Sequence, residues 1–174
     1  MNKNWDEIKA LAGMYAMENL DNGMNCSESV FAALIRSGAL DVPPETVSYT
    51  TGFGGGGGGT GLTCGALSAA ILANNIVYGR KPPITTGDRT ALKEKHYRRY
   101  NNIVSDFVKV SSSGLCREII NQFSAGYLDD DTRPNCIRIC GEAARIAVDY
   151  LMMDVETAAK LEYDPTVVGI KNWI

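Results

Sequence analysis

Apolar residues recur every three to four positions along most of the chain, which is the spacing of helices that bury one face. The spacing predicts a first helix over residues 4–20, and a second helix that starts at Asn25-Cys26-Ser27-Glu28, a capping-box sequence. A short third helix is expected from Pro43-Pro44 to about Tyr49. No segment of useful length alternates apolar and polar residues as a strand would. We therefore predict an all-α bundle that forms a single domain over residues 1–174.

The later part of the chain has the same helical pattern. Asp88 is a suitable cap for a long helix to about Val110, whose apolar stripe includes the histidine His96 and whose charged residues, such as Arg99, fall on the other side. A lone histidine on such a stripe is more often a hydrogen-bonded core residue than a ligand. The last long helix is predicted to follow the cap-like sequence Pro134-Asn135, with Cys136 in its first turn.

One segment is apolar on every face. Residues 64–78 read CGALSAAILANNIVY and contain no charged residue. Because a helix that is apolar all round must be buried all round, this segment is expected to be the central helix of the bundle, and Gly79 is expected to end it. Thr63 is the predicted N-cap, which would place Cys64 in the first turn.

A glycine-rich loop, Gly52 to Gly61, leads directly into the central helix. A phosphate-binding P-loop would end in Gly-Lys-Ser or Gly-Lys-Thr, but no lysine follows until Lys81. The residues before the loop also lack the β-branched run of a buried strand, which argues against a dinucleotide fold. The glycines are therefore expected to allow positive φ angles and close backbone approach.

Charge and the start of the chain narrow the functional classes. The formal net charge is −3 and the basic residues are scattered, which argues against a nucleic-acid partner. The N-terminal residues are amphipathic and partly acidic, unlike a signal peptide, and the central helix is too short to cross a bilayer. A cytoplasmic protein without a membrane partner is expected. In a reducing compartment, its five cysteines would be buried thiols, metal or cluster ligands, or redox groups.

Four cysteines are each predicted in the first turn of a different helix: Cys26, Cys64, Cys116 and Cys136. A helix N-terminus has free N–H groups and a partial positive charge, which lower the pKa of a thiol and favour a thiolate. No pair has the local C-x-x-C spacing of zinc ribbons or thioredoxins. The alternative is that these are ordinary small core residues, but core cysteines have no reason to prefer helix starts. The pattern therefore favours a shared cysteine site.

These cysteines and the glycine-rich loop resemble a known family, the redox-active proteins named for their C_GCAxxG_C_C pattern. The resemblance extends from Asn25-Cys26 to about Leu151, and its central motif is Cys64-Gly65-Ala66-Leu67-Ser68-Ala69, in which Ala69 stands where the family has glycine. It implies a small helical redox protein. The chain is also similar to the non-haem part of split-Soret cytochromes, which implies an iron–sulfur site. Without a Cys-x-x-Cys-His sequence, it is expected to attach no c-type haem.

Three functions follow from these observations. The first is electron transfer or redox sensing, with a redox partner protein, through an iron–sulfur cluster held by the four cysteines. Six glycines of the loop would then offer backbone N–H groups to the cluster: Gly54, Gly55, Gly56, Gly57, Gly58 and Gly59. The second is a cluster-free thiol oxidoreductase or sulfur carrier in which Cys64 is the catalytic thiolate. The third is a structural zinc protein, since four thiolates also suit zinc.

The fifth cysteine, Cys140, lies one helical turn beyond Cys136 and on the same face. Because side chains tilt toward the helix N-terminus, Cys140 could lie beside a cluster held by Cys136 and be a spare ligand. A position inside a helix lacks free N–H groups, however, so Cys140 is expected to be a core thiol. The predicted helices together carry more apolar stripes than one central helix can cover, so we also expect a homodimer.

Overall fold

The computed structural model describes residues 3–81, 89–122 and 132–170. Within these ranges the regular structure is helical and contains no strand, which confirms the predicted all-α class. The helices are α1 (Trp5–Asp21), α2 (Cys26–Arg36), α3 (Gly65–Tyr78), α4 (Tyr97–Ser111), α5 (Cys116–Ile120), α6 (Thr132–Leu151) and α7 (Val155–Ala159). Short segments add to them: 3₁₀ turns at Pro44–Phe53 and Pro165–Val167, and a helical lead-in to α4 formed by Arg89–Ala91 and the π-helical turn Leu92–His96. None of the helices in these ranges has the length and hydrophobicity needed to cross a membrane. The predicted cap Asp88 lies outside the described residues.

The first two helices begin where local sequence predicts. The side chain of Asn4 accepts the N–H of Glu7 at the start of α1. At the start of α2, the Asn25 side chain accepts the N–H of Glu28 at 3.0 Å, while the Glu28 carboxylate accepts the N–H of Asn25 at 3.1 Å. The predicted capping box is therefore confirmed, and Gly38, with φ +79°, follows the end of the helix.

The third helical segment is a 3₁₀ turn that is longer than predicted. It extends from Pro44 to Phe53 instead of ending near Tyr49. Three hydroxyl groups in it each donate to a carbonyl three residues back, at 2.6–2.8 Å: Thr46 to Pro43, Ser48 to Glu45 and Thr50 to Val47. These bonds match the i to i+3 spacing of a 3₁₀ helix and favour it over an α-helix.

The central helix α3 packs against α2 and α6, as predicted. The four alanines of its inner faces are almost completely inaccessible: Ala66, Ala69, Ala70 and Ala73. The expectation that it is buried all round is wrong for its last turn, where Asn75 is exposed and Val77 is 41% exposed. The predicted N-cap is also wrong, since Cys64 occupies that position.

Helices α1, α2, α3 and α6 form the main core, and α4 packs against α6 and α3. The approach of α1 to α6 depends on glycine. A Cβ added to Gly141 of α6 would lie 2.8 Å from the Cγ of Met17 and 3.2 Å from the carbonyl oxygen of Gly13, both in α1. Any side chain at Gly141 would therefore displace the Met17 side chain and press against the backbone of α1. The largest fully buried side chains include Phe31 of α2 and Phe107 of α4.

The polar side of α4 differs from the prediction at Arg99, which is 2% exposed rather than solvent-facing. Its guanidinium donates to the carbonyls of Met153 at 2.8 Å and Asp154 at 2.9 Å, and also to that of Tyr150. It lies 3.9 Å from the centre of the Tyr78 ring. A cation here satisfies carbonyls at and just beyond the end of α6, which explains why it is buried.

The histidine also departs from the prediction. His96 is half-buried, not a core residue, and it ends the π-helical turn before α4. A π-helical turn adds a residue to the helical repeat and so rotates the stripe that precedes α4 relative to the stripe of α4 itself.

Candidate functional site

All five cysteines line one cavity of about 240 Å³. The rest of the wall is mainly apolar, with Asn25 and Arg133 as its polar side chains. The lining residues are Leu20, Gly23, Met24, Asn25, Cys26, Cys64, Ala66, Cys116, Ile119, Ile120, Arg133, Cys136, Ile139 and Cys140. The structure thus brings the four predicted cysteines to one place and adds Cys140.

Three of the four cysteines stand at helix starts. Cys26 and Cys116 are the first residues of α2 and α5, and Cys64 is the N-cap of α3, one position earlier than predicted. Their backbones therefore lie where a helix has free N–H groups.

The predicted position of Cys136 is wrong. Helix α6 includes Thr132, so Cys136 lies in its second turn rather than its first. Pro134 is accommodated near the helix start because the first-turn N–H groups have no partner within the helix. The sequence Pro134-Asn135 is consequently part of the helix and not its boundary.

Backbone pairing holds Cys64 and Cys116 side by side. Thr63 and Leu115 form an isolated antiparallel bridge. The N–H of Cys64 donates to the carbonyl of Gly114 at 2.9 Å, and the N–H of Cys116 donates to that of Leu62 at 2.6 Å. The start of α3 is thereby fixed to the start of α5, although the two helices are far apart in sequence.

The glycine-rich loop makes this pairing sterically feasible. Five consecutive glycines, Gly55–Gly59, have φ between +63° and +92°, a left-handed conformation that other residues seldom adopt. A Cβ on Gly56 would lie 2.6 Å from the backbone nitrogen of Leu62 and 2.8 Å from the Cβ of Cys116. Positive φ and close backbone approach, the predicted reasons for glycine, are therefore confirmed.

The glycine-rich loop was also predicted to offer backbone N–H groups to a cofactor. None of Gly54, Gly55, Gly56, Gly57, Gly58 and Gly59 is among the residues that line the cavity. The N–H groups of Gly58 and Gly59 donate within the loop, to the carbonyl of Gly54. The loop therefore lies behind Cys116, and its N–H contacts with a cofactor stay a prediction.

Gly65 leaves room for the sulfur of Cys26. A Cβ at this position would lie 2.6 Å from the Sγ of Cys26 and 2.8 Å from the carbonyl oxygen of Phe53. This contact gives a physical reason for glycine directly after Cys64. Because glycine has no side chain, the Sγ of Cys26 can lie against the start of the central helix.

Four thiols of this cavity hold their protons more tightly than ordinary thiols. Burial is the main cause: it raises the pKa of Cys64, Cys116 and Cys140, and it raises that of Cys136 to about 11. The nearby Cys26 raises the pKa of each of them further. The expectation that helix starts lower the thiol pKa is therefore wrong for Cys64 and Cys116, because desolvation outweighs the dipole.

Cys64 illustrates the balance of these effects. The backbone N–H groups of Ala66 and Leu67 face its sulfur and lower the pKa, but burial and the neighbouring Cys26 raise it by more. At neutral pH the thiol of Cys64 is protonated, and a protonated thiol is a poor nucleophile.

The donor set suits soft metals, since thiolates are the preferred ligands of zinc, cuprous copper and iron–sulfur clusters. Within residues 3–81, 89–122 and 132–170, however, no three Cys, His, Asp or Glu side chains are arranged to hold a single metal ion. The five thiols instead line a common cavity.

Two lining residues lie outside the predicted set of four ligands, Cys140 and Arg133. Cys140 is 1% exposed, which confirms its predicted burial, yet it also faces the cavity, and its Sγ donates to the carbonyl of Cys26 at 3.7 Å. Arg133 donates to the carbonyl of Asp21 at 2.7 Å, which holds a cation beside the thiols. Nothing in the local sequence of Arg133 predicts this position.

Comparisons with known proteins agree with the cysteine pattern. A family model described as "Putative redox-active protein (C_GCAxxG_C_C)" matches residues 24–150. An uncharacterized protein of Archaeoglobus fulgidus is 27% identical over 142 residues, which cover 78% of this chain and 90% of that protein. No solved structure shows a significant match.

Proposed function

The chain belongs to the family of redox-active proteins defined by the C_GCAxxG_C_C pattern, and from this premise we propose that its cysteine-lined cavity holds an iron–sulfur cluster for electron transfer or redox sensing. The observation that carries the proposal is the single cavity of about 240 Å³ that all five cysteines line. The ligands proposed from the sequence are Cys26, Cys64, Cys116 and Cys136. When bound, such a cluster supplies reversible one-electron exchange.

The residues around the thiols support this function in two ways. The apolar side chains of Leu20, Ile119 and Ile139 limit the access of water to the cavity, which is one of the factors that set the potential of a cluster. Because burial raises the pKa of Cys64, Cys116 and Cys136, binding of metal to these thiols must release protons, one for each metal–thiolate bond that forms.

The two alternative functions stand differently against these observations. No three donor side chains of the described residues are arranged around one point, so a single zinc ion would require cysteine side chains to move, although four thiolates suit it. A thiol enzyme needs a thiolate near neutral pH, whereas burial raises the pKa of the candidate nucleophile Cys64. The raised pKa weighs against a free nucleophile, whereas a bound metal can displace the thiol protons.

Anaerobic reconstitution with ferrous iron and sulfide tests the proposal. We expect a brown protein whose visible absorbance is bleached by dithionite, with iron and sulfide present in comparable amounts. Cys26→Ala, Cys64→Ala and Cys116→Ala should each lose most of both. Val148→Ala is a suitable control, because Val148 is fully buried in α6 but does not line the cavity. A colourless wild-type protein, or iron content that is unchanged in all three cysteine variants, would refute the proposal.

The partner follows from the same chemistry. A protein that exchanges single electrons needs a redox partner protein, and we propose one here without specifying its identity. We also propose that the protein forms the homodimer expected from the sequence.

A further inference from the structure

The structure removes the reason for treating Cys136 and Cys140 differently. The expected distinction was that Cys136 lay in a first turn with free N–H groups, while Cys140 lay inside the helix. Because α6 includes Thr132, both cysteines are interior positions of the same helix, one turn apart. Neither has an advantage from free N–H groups.

Both cysteines also face the same cavity, from neighbouring positions. Cys140 contacts the carbonyl of Cys26, with its Sγ 3.7 Å from the oxygen. Cys140 is buried and Cys136 is half-buried, so the two thiols line the cavity at different depths.

We propose that Cys136 and Cys140 are interchangeable ligands, so that α6 offers two thiols for the fourth position of the metal–thiolate site. The proposal deepens the proposed function and rests on it, but it concerns the thiols themselves and applies to any thiophilic metal that enters the cavity. Exchange of one ligand for the other moves one proton from the incoming thiol to the outgoing thiolate and transfers no electrons. The fifth cysteine thus has a role beyond packing.

Cadmium is the probe that tests this proposal without a cluster. Anaerobic titration with Cd²⁺ is followed by the ultraviolet absorbance of cadmium–thiolate bonds, in the wild type and in Cys136→Ala, Cys140→Ala and the double variant. Cys136→Ser and Cys140→Ser repeat the single changes with little loss of volume, and circular dichroism checks helicity in each. Val148→Ala, which removes buried volume from α6 but no sulfur, is the matched control.

We expect each single variant to keep the wild-type ratio of cadmium to protein. The double variant should lose affinity by more than roughly 100-fold, since even an outer-shell partner is worth about 10–100-fold. If Cys136→Ala alone loses as much as the double variant while Cys140→Ala binds like the wild type, Cys140 is only a core thiol and the proposal is wrong. The reverse pattern also overturns interchangeability. If cadmium binds as expected but reconstitution incorporates no iron and sulfide, the proposed function fails while this inference stands.

Discussion

Gly65→Ala is the substitution that most directly tests how the fold shapes the site. The added Cβ would lie 2.6 Å from the Sγ of Cys26 and 2.8 Å from the carbonyl oxygen of Phe53. The carbonyl belongs to the backbone and yields little, so either the Cys26 side chain or the start of α3 must move. Both movements displace a predicted ligand.

The magnitude follows from two opposing effects. Overpacking a close contact costs about 1–3 kcal/mol. Gly65 is a helical residue without a positive φ, so alanine regains up to about 1 kcal/mol of helix propensity. We therefore expect a net loss of about 1 kcal/mol in the free energy of unfolding, together with weaker cadmium binding.

Urea unfolding of the metal-free protein and the cadmium titration measure the two effects. Gly52→Ala is the matched control, because Gly52 also lacks a positive φ and nothing lies within 4 Å of its added Cβ. The control should leave both quantities unchanged or raise stability slightly. If Gly65→Ala is as stable as the wild type and binds cadmium equally well, the contact between Gly65 and Cys26 does not constrain the site.

Four further outcomes are expected. Arg99→Met should lower the free energy of unfolding by about 3 kcal/mol, because it leaves buried carbonyls without their charged donor. Arg36→Met, which removes an exposed ion pair with Glu18, should cost under about 1 kcal/mol, and equal losses in the two variants would contradict this prediction. Gly56→Ala should destabilise the protein more than Gly58→Ala, because both glycines have a positive φ but only the Cβ added at Gly56 meets the Leu62 backbone and Cys116. Equal urea midpoints for the two variants would count against this prediction. The metal-free protein should be less stable at pH 11 than at pH 9. Burial raises the pKa of Cys136 from 9.0 to about 11, so the stability that comes from its protonated thiol is complete below pH 9 and is lost as the pH rises through 11. Cys136→Ala should therefore reduce the fall of the urea midpoint with pH. Sedimentation should show a homodimer, and a monomer at micromolar concentration would exclude it.

The sequence by itself determined the elements that depend on neighbours in the chain. The helix spacing from Trp5 onward and the capping box of Asn25 and Glu28 are local interactions, and both are found as predicted. The requirement for glycine in Gly55–Gly59 is also local, because a positive φ is set by the residue itself. Four of the five cysteines that line the cavity were likewise evident, because each was predicted at a helix start and three of them stand there.

Only the tertiary structure decided the features that depend on residues distant in sequence. The burial of Arg99 requires the end of α6 beside α4, and no property of its own segment predicts those carbonyl partners. The pairing of Thr63 with Leu115 likewise joins two short segments that lack the pattern of a strand. Both cases reflect the same cause: a polar group takes whatever partner the packed chain brings to it.

The chemistry of the thiols shows the same division most clearly. A helix start lowers the pKa of a cysteine by a local dipole, and the sequence reveals that dipole. Desolvation depends on everything that packs around the sulfur, and in this cavity it is the larger effect for Cys64. The sequence therefore identified four of the cysteines that meet, whereas the tertiary structure added Cys140 and decided that Cys64 is a buried, protonated thiol, because burial is a property of the whole fold.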